Sequence, residues 1–536
     1  MESTILTHAP PRGALARSRE GLVTSPHTLA TEAGRAVLRD GGNAIEAAIA
    51  MGACLAVTYP HFTGLGGDAF MIVADASGRV RTLSGIGQAA RRPPAYAGTI
   101  PVRGPGSMLT SAATVDTWGQ AHALSRAECG GTREWGVLLE PAIRLARDGF
   151  PVTPSQRFWL DFRLAEMNAL TGVAAHFLHD GRVPAEGATV RQPDLARTLE
   201  AIAEHGPREF YEGRLAARIA AGLAAAGSPL DADDLAATGA RLETPLRVPY
   251  RGGELIAHRP PTQGMTTLEI MGILDRFDLG AVAEGSAEHY HLLVEAVKLA
   301  FIDRNRHLAD PDFHDVPVER LLSTAHLDAR AGELDRARAR AWPHAFRHGD
   351  TVFLAAADRF GNAVSMLQTV YYDWGSGVMV GDTGMLWHNR GAAFSLDPAH
   401  PNALAPGKRP FHTLNPGMYL ENGQPRLLYG TQGADGQPQT LAAILTRLID
   451  FGLDPLEALA RPRFLLGRTF SDTRDTLKLE EDAGEAVFAE LARRGHEISP
   501  LPAQSPLAGH PGVIRIDPQG FAGAHDPRSD GIALGL

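Results

Sequence analysis

The stretch 351–372, TVFLAAADRFGNAVSMLQTVYY, decides the fold. Its first seven residues have the composition of a buried strand, residues 358–362 have turn chemistry, and residues 363–372 again resemble a strand. We therefore predict a β-hairpin here. The 42 residues before it, 309–350, are charged, rich in arginine and weakly patterned. We expect that segment to be exposed and mobile, so that a flexible segment leads directly into a core strand.

Thr351 opens this strand and is a candidate nucleophile. A free threonine α-amino group has a pKa of about 7.7–8.0, so near neutral pH it can take the proton from its own hydroxyl. Such a residue must begin a chain, and the precursor must therefore be cut between Asp350 and Thr351. The same hydroxyl can attack the carbonyl of Asp350 and form an ester that water opens. Alternatively, Thr351 is only a β-branched residue at the start of a strand.

The composition sets broad limits on the protein class. The 536 residues, 44% of them hydrophobic, are enough for large buried cores in two to four domains or in one large layered domain. The net charge of −10 argues against nucleic acid and against anionic membranes as partners. The two cysteines do not make a disulfide framework or a zinc site. Residues 1–21 lack the apolar core of a secretory signal, and no stretch reaches about 18 apolar residues without charges. We therefore expect a cytoplasmic protein without a transmembrane helix.

Periodicity and capping residues predict several further elements. Asn43 with Glu46 forms a capping-box pattern, and Ser286 is a helix cap. Residues 155–250 are predicted to be mostly helical. The predicted helices are 28–40, 45–57, 138–148, 286–306 and 439–451, and the predicted further strands are 70–74 and 80–83.

No motif for a cofactor or metal emerges. Residues 64–69, GLGGDA, partly match a dinucleotide fingerprint, but a strand follows instead of a helix, so we expect a close-packed turn. There is no nucleophile elbow of the Gly-x-Ser-x-Gly type. His289 and His291 are two apart on a predicted helix and face different directions. We predict neither a cofactor nor a metal ligand.

A series of short motifs resembles those of the gamma-glutamyltransferases, a family of N-terminal-nucleophile hydrolases. Each motif alone is weak, but the series runs in collinear order from about residue 20 to residue 535. The motifs are Gly34, DGGNA at 40–44, EAA at 46–48, PH at 60–61, GLGG at 64–67, FM at 70–71, EPAI at 140–143, GFPV at 149–152, GNAVS at 361–365, GSG at 375–377, PGKRP at 406–410 and DPRS at 526–529.

The resemblance implies a fold of the α+β class. The expected architecture is a four-layer αββα sandwich, the N-terminal-nucleophile hydrolase fold, with a helix-rich region in the N-terminal part. The resemblance also implies self-cleavage into a large chain, residues 1–350, and a small chain, residues 351–536. The two chains would stay together as one intertwined domain.

The resemblance also assigns the catalytic residues. The nucleophile of the family falls on Thr351, and the threonine that hydrogen-bonds the amino group of the nucleophile falls on Thr369. The two amides of the oxyanion hole fall on Gly433 and Ala434. Because the donors are backbone N–H groups, an alanine at position 434 is compatible with that role.

The substrate site departs from the family pattern. Ile86 stands where an arginine should hold the α-carboxylate of a γ-glutamyl group, and Ala393 replaces the acid that holds the α-amino group. His412 and Thr413 replace a pair of serines, and Tyr371 replaces an asparagine. Without these anchors a buried zwitterion would leave charges unpaired, at a cost of several kcal/mol.

Arg390 lies near the position expected for the substrate ammonium, and an arginine can hold a carboxylate at two points. We therefore hypothesise an amidohydrolase that cleaves a small carboxylate-bearing amide, such as oxamate, through a threonyl ester. Tyr371, His412 and Thr413 would line the pocket, whereas Arg390 could instead only brace its loop.

The sequence leaves other functions open. The alternatives are a γ-glutamyl hydrolase or transferase, a β-lactam side-chain acylase, and an uncleaved, inactive homologue that serves as a binding protein. The expected partners are a small-molecule amide and the protein's own two cleaved chains, without nucleic acid or membrane, and a homo-oligomer stays open.

Overall fold

The computed structural model of the protein describes residues 13–342, 349–468 and 474–536. The expectation of no secretory signal concerned residues 1–21, and residues 1–12 of that segment lie outside these ranges. Two seven-stranded antiparallel sheets pack face to face at the centre. We call them the Thr351 sheet and the Gly430 sheet, after a residue in a central strand of each.

Both sheets are assembled from distant parts of the chain. The Thr351 sheet contains, in spatial order, Ile532–Gly535, Gly21–Ser25, Asp350–Asp358, Ala363–Tyr371, Asp68–Ala74, Val80–Gly85 and Arg241–Glu243. The Gly430 sheet contains Ala16–Ser18, Gly520–His525, Gly512–Asp517, Gln424–Gly430, Gly417–Glu421, Gly253–Ala257 and Leu246–Tyr250. Two smaller sheets contain Phe464–Gly467, Thr476–Glu480 and Ile498–Leu501, and Phe150–Pro151 and Thr189–Val190.

The predicted hairpin is confirmed and lies in the middle of the Thr351 sheet. Its strands pair antiparallel from Ala357 opposite Ala363 to Asp350 opposite Tyr371. The turn is held by the carboxylate of Asp358, which accepts hydrogen bonds from the backbone N–H groups of Phe360 and Asn362 at 2.8 and 2.9 Å. The turn chemistry of the sequence therefore closes the hairpin as expected.

The hairpin is apolar throughout because its two faces contact two different cores. Phe353 and Leu367 point between the sheets, where they meet residues such as Met418 and Leu428 of the Gly430 sheet. Val352, on the opposite face, packs with the helices of the N-terminal part. A strand that is buried on both faces shows no polar alternation, which explains the uninterrupted apolar sequence.

Helices cover the outer face of each sheet and complete a four-layer αββα sandwich, which confirms the fold class. The helices in the core of the Thr351 sheet include Thr28–Arg39, Ala44–Thr58, Thr114–Glu128, Trp135–Asp148, Pro193–His205 and Arg214–Ala226. Those in the core of the Gly430 sheet include Gly264–Leu274, Ala287–His307, Gln437–Ile449, Pro455–Ala460 and Glu485–Arg493. The shorter helices are Pro154–Phe162, Leu164–Ala169, Thr171–Phe177, Ala232–Ala236, Val318–Leu321 and Thr324–Gly332.

The predicted helix starts are confirmed at the level of individual hydrogen bonds. Asn43 accepts from the N–H of Glu46 at 3.0 Å, and the Glu46 carboxylate accepts from the N–H of Asn43 at 2.9 Å. Ser286 accepts from the N–H of His289 at 3.2 Å. These caps satisfy amide groups that a helix leaves without partners at its first turn.

Two expectations were wrong in part. The segment 309–350 is not exposed throughout, because Leu321 and Leu327 on its two short helices are buried in the core of the Gly430 sheet. Residues 343–348 of that segment lie outside the described ranges. The helical stretch 155–250 ends in two strands, of which Leu246–Tyr250 alternates buried and exposed residues. No helix among the described residues combines the length and apolarity needed to cross a membrane.

Candidate active site

The predicted cleavage site lies at the first two residues of a central strand of the Thr351 sheet. Asp350 and Thr351 are both buried. Asp350 pairs with Tyr371, whereas Val352 pairs with Gln368, so the register shifts at Thr351. Such a β-bulge redirects a side chain, and bulges are common beside active sites.

The hydroxyl of Thr369 contacts the carbonyl of the peptide predicted to be cut. The N–H of Tyr371 donates to Thr369 Oγ1 at 2.7 Å, so the hydroxyl proton points elsewhere. It points to the carbonyl oxygen of Asp350, at 2.5 Å. Gln437 Nε2 donates to Thr351 Oγ1 over 3.4 Å. The Thr369 hydroxyl therefore donates to the carbonyl of Asp350, whereas the family pattern predicts a bond to the nitrogen of Thr351.

Gly433 and Ala434 lie beside the segment that precedes the scissile peptide. Among the described residues no acceptor is bonded to their two N–H groups. Their backbone is fixed, since Gln263 Nε2 donates to the carbonyl of Ala434 at 2.6 Å and both residues have positive φ, +123° and +44°. A Cβ at Gly349 would lie 3.0 Å from the Cβ of Ala434. Two free amides held in this way can stabilise an oxyanion that forms beside them.

Arg390 is a fully buried cation with an unused hydrogen-bonding edge. Its Nη1 donates weakly to Thr413 Oγ1 at 3.5 Å, while Nε and Nη2 have no partner within the described residues. No carboxylate of the described residues lies within ion-pair distance of it. Burial lowers the pKa of Arg390 to about 10, and the charges of Tyr371 and Asp68 act in the opposite direction. The guanidinium therefore stays charged near neutral pH.

The ring of Tyr371 covers one face of this guanidinium. The arginine Cζ lies 3.7 Å from the ring centroid, and Tyr372 stacks on the Tyr371 ring at 4.5 Å. Tyr371 has a φ of +82°, which is strained for a residue with a side chain. A Cβ at Gly349 would lie 3.1 Å from the ring. With a ring against its face, Arg390 can receive an anion only along its edge.

His412 is close to the site, but both of its ring nitrogens already bond to the protein. Nδ1 accepts from the N–H of Leu414 at 3.2 Å, and Nε2 donates to Asp68 Oδ2 at 3.1 Å. Burial lowers the pKa of His412 to about 3. Burial alone would raise the pKa of Asp68, yet His388 and His412 hold it well below its usual range. His412 therefore contributes by positioning a buried anion.

Two groups of side chains have the residue types of metal ligands, and in each group a carboxylate already forms an ion pair with a lysine or an arginine. Lys298 Nζ lies 2.6 Å from Glu295 Oε1 in the first group. Arg330 donates to both carboxylate oxygens of Asp303 at 2.7 Å in the second. The two groups are His291, Glu295 and His496, and Glu269, Asp303 and His326. Both are therefore better described as structural ion-pair clusters.

Sequence reasoning missed several polar residues around the site. Gln432 and Gln437 flank the two predicted oxyanion amides, and Asp68 begins a strand that is otherwise apolar. The sequence feature that could have indicated them is a polar side chain within a buried element, because a buried polar group requires a hydrogen-bond partner. Gly67 behaves as predicted for a close-packed turn, since a Cβ there would lie 2.0 Å from the carbonyl oxygen of Thr369.

Acid should destabilise the fold through its buried histidines. Burial lowers the pKa of His412 and His258 to about 3 and that of His510 to about 4, from an unfolded value of 6.5. Their contribution is complete above pH 6.5 and is lost as the pH falls toward 4, because only the unfolded chain takes up protons there. We expect each of these three histidines to lower the free energy of unfolding by about 2 kcal/mol between pH 7 and pH 5. Urea unfolding at pH 7 and at pH 5 measures this loss of stability. The exposed His179→Asn variant is the control and should lose as much stability as the wild type. Equal stability of the wild type at pH 7 and pH 5 would contradict the prediction.

The four-layer fold defines a class, the N-terminal-nucleophile hydrolases. The crystal structure of cephalosporin acylase from Bacillus halodurans is similar over its full length, with a TM-score of 0.89 and 32% sequence identity, and the match covers 100% of this chain and 99% of that one. A family model described as gamma-glutamyltranspeptidase matches residues 30–536. The chain belongs to this family, which confirms the resemblance and identifies a hydrolase of C–N bonds.

Two relatives align with almost the whole chain. The oxamate amidohydrolase proenzyme of Klebsiella pneumoniae subsp. pneumoniae is 44% identical over 523 residues, which is 97% of this chain and 99% of that protein. The glutathione hydrolase-like YwrD proenzyme of Bacillus subtilis is 40% identical over 528 residues, covering 96% and 98%. Both names describe a proenzyme.

Proposed function

We propose that this protein is a self-processing amidohydrolase that acts on a small amide carrying a carboxylate, of the oxamate type. The single observation that carries the proposal is the free edge of Arg390. Nε and Nη2 of a guanidinium point in parallel and match the two oxygens of a carboxylate. A buried arginine without an anion is costly, and a substrate carboxylate would supply that anion.

The self-processing step uses Thr351 as the nucleophile on the carbonyl of Asp350. Cleavage yields a large chain, 1–350, and a small chain, 351–536. Thr369 donates to the carbonyl that is attacked, and the resulting ester is opened by water. The α-amino group of Thr351 is then free.

Turnover then proceeds through a threonyl ester. The α-amino group takes the proton of the Thr351 hydroxyl, whose oxygen attacks the substrate amide. The N–H groups of Gly433 and Ala434 stabilise the oxyanion, and the amine leaves with the proton. Water, activated by the same amino group, releases the acid. Arg390 holds the substrate carboxylate through these steps, with the Tyr371 ring on a face of the guanidinium and Thr413 at its Nη1.

A γ-glutamyl substrate fits this pocket poorly. Its amino acid end carries an ammonium and a carboxylate, which require an anion and a cation in the pocket. Ile86 and Ala393 are buried and uncharged at the two positions where the family pattern has charged anchors. Oxamate has a carboxylate beside its amide and no amino group, and the name of the Klebsiella relative supports this substrate class.

A β-lactam side-chain acylase is the second candidate. The observation that favours it is the full-length similarity to a cephalosporin acylase. Such a substrate would still need a polar anchor for its acyl group, which Arg390 could provide.

A substrate comparison tests the proposal. Oxamide is the neutral counterpart of oxamate, and a buried charge pair contributes about 2–5 kcal/mol. We expect kcat/KM for oxamate to exceed that for oxamide by roughly 30-fold or more. A γ-glutamyl anilide and a cephalosporin serve as the competing substrates. Faster turnover of either one than of oxamate would contradict the assignment.

A further inference from the structure

Self-cleavage needs a proton acceptor other than the α-amino group that serves the mature enzyme. In the uncleaved chain the nitrogen of Thr351 belongs to an amide, whose lone pair is delocalised and is not basic. It cannot take the proton of the Thr351 hydroxyl. The same nitrogen must also gain a proton before it can leave as an amine. A group beside the scissile peptide must therefore accept one proton and return it.

The side chain of Asp350 is the titratable group at this position. The described side chains that hydrogen-bond to Asp350 or Thr351 are those of Thr369, Gln432 and Gln437, and none of them titrates near neutral pH. Gln432 Nε2 donates to Asp350 Oδ1 at 2.7 Å. Asp350 Oδ2 is buried and has no hydrogen-bond partner within the described residues. One carboxylate oxygen is therefore anchored and the other is free.

We propose that the carboxylate of Asp350 shuttles the proton of self-cleavage from the Thr351 hydroxyl to the Thr351 nitrogen. This inference rests on the proposed function, because it concerns the same cleavage. The carboxyl group is joined to the scissile carbonyl by a short run of single bonds. It therefore stays close to the scissile peptide, and because Gln432 holds Oδ1, Oδ2 is the oxygen left to accept a proton.

The step balances without an external reagent. As Thr351 Oγ1 bonds to the carbonyl carbon of Asp350, Oδ2 takes the hydroxyl proton, and the oxyanion receives the hydrogen bond of Thr369. The C–N bond then breaks, and the proton moves from Oδ2 to the nitrogen of Thr351. The products are an ester, a neutral amine and the original carboxylate. Water adds to the ester, Oγ1 leaves as a hydroxyl, and the new α-carboxyl group of Asp350 loses its proton to solvent and becomes a carboxylate.

The electrostatic surroundings suit a shuttle. Burial first, and then the charge of Asp373, raise the pKa of Asp350 well above its usual range, while Arg163 and Arg103 act in the opposite direction. Arg163 lies 2.6 Å and Arg103 lies 3.6 Å from the carboxylate of Asp373. Arg103 Nε also lies 2.7 Å from Glu166 Oε1, so the two positive charges face two carboxylates. Tyr59 faces the same region and is a weak acid. A carboxylate with a raised pKa is a stronger base and is needed in its ionised form, so cleavage should accelerate as the pH rises.

The test follows the cleavage of pulse-labelled full-length chain made by cell-free translation. Asp350→Asn keeps the size of the side chain and an acceptor for Gln432 but removes the base. We expect it to slow cleavage by about 100-fold or more, the usual contribution of a positioned base. Asp350→Glu should stay within about tenfold of the wild type. Exposed Asp382→Asn is the matched control and should cleave like the wild type.

The outcomes separate this inference from the proposed function. Cleavage of Asp350→Asn at the wild-type rate would overturn the shuttle, and so would a wild-type cleavage rate that is flat between pH 5 and pH 9. Cleavage of Thr351→Ala would instead overturn the proposed function. A merely structural role is excluded if the fraction of Asp350→Asn that does cleave has wild-type kcat/KM and an unchanged thermal midpoint. If Asp350→Asn fails to fold, Asp350→Glu and the pH profile decide.

Discussion

Thr351→Ala will yield an uncleaved, folded protein without amidase activity. Alanine has no oxygen to attack Asp350, so no ester can form and no new amino terminus appears. The same change removes the nucleophile of turnover. Removal of a covalent nucleophile costs about 10⁴-fold or more in kcat. Denaturing gels measure the cleavage, and ammonia release from oxamate measures the turnover.

Thr351→Ser is the matched control for this change. Serine keeps the hydroxyl and the α-amino group and removes only a methyl group, so cleavage and turnover should both persist at reduced rates. An alanine variant that still cleaves at position 350 or still turns over oxamate would show that another residue is the nucleophile. A serine variant as inactive as alanine would point to damage to the strand rather than to lost chemistry.

Arg390→Gln will lower kcat/KM for oxamate far more than for oxamide. The glutamine removes the charge and the two-point edge, and leaving the substrate carboxylate buried without a partner costs about 2–5 kcal/mol. That corresponds to roughly a 30-fold to 3,000-fold loss. Oxamide has no carboxylate to lose, so its turnover should change little. The comparison uses processed enzyme of each variant, with both substrates at matched concentrations.

Arg390→Lys separates charge from geometry. Lysine keeps the charge but not the planar pair of donors, so its activity on oxamate should lie between those of the wild type and the glutamine variant. Equal losses on oxamate and oxamide would contradict the carboxylate anchor. They would favour the other reading of Arg390, an arginine that braces its loop through Tyr371 and Thr413.

The sequence predicted most of the central fold because the relevant signals are local. An apolar run, a turn with Asp358 and a second apolar run predict the hairpin 350–371. The capping box at Asn43 depends on residues only three positions apart. The four-layer arrangement, in contrast, depends on pairing between strands hundreds of residues apart, and here the family resemblance supplied what local periodicity does not.

Residues of the candidate site could be located in the sequence only where a family motif marks their position. Thr369 and Arg390 followed from aligned motifs, but the hydrogen bond from Thr369 to the carbonyl of Asp350 depends on the shifted register at the bulge. Gln432 reaches Asp350 across the space between the two sheets, and no spacing in the sequence encodes that distance. The burial of Leu321 in a charged segment was missed for the same reason.

The mass of the purified wild-type protein under denaturing conditions tests the central claim most directly. We expect two chains, one of 350 residues that ends at Asp350 and one of 186 residues (536 − 350) whose first residue is Thr351. A single active chain of 536 residues would contradict the account, because Thr351 would then have no free amino group to activate its hydroxyl.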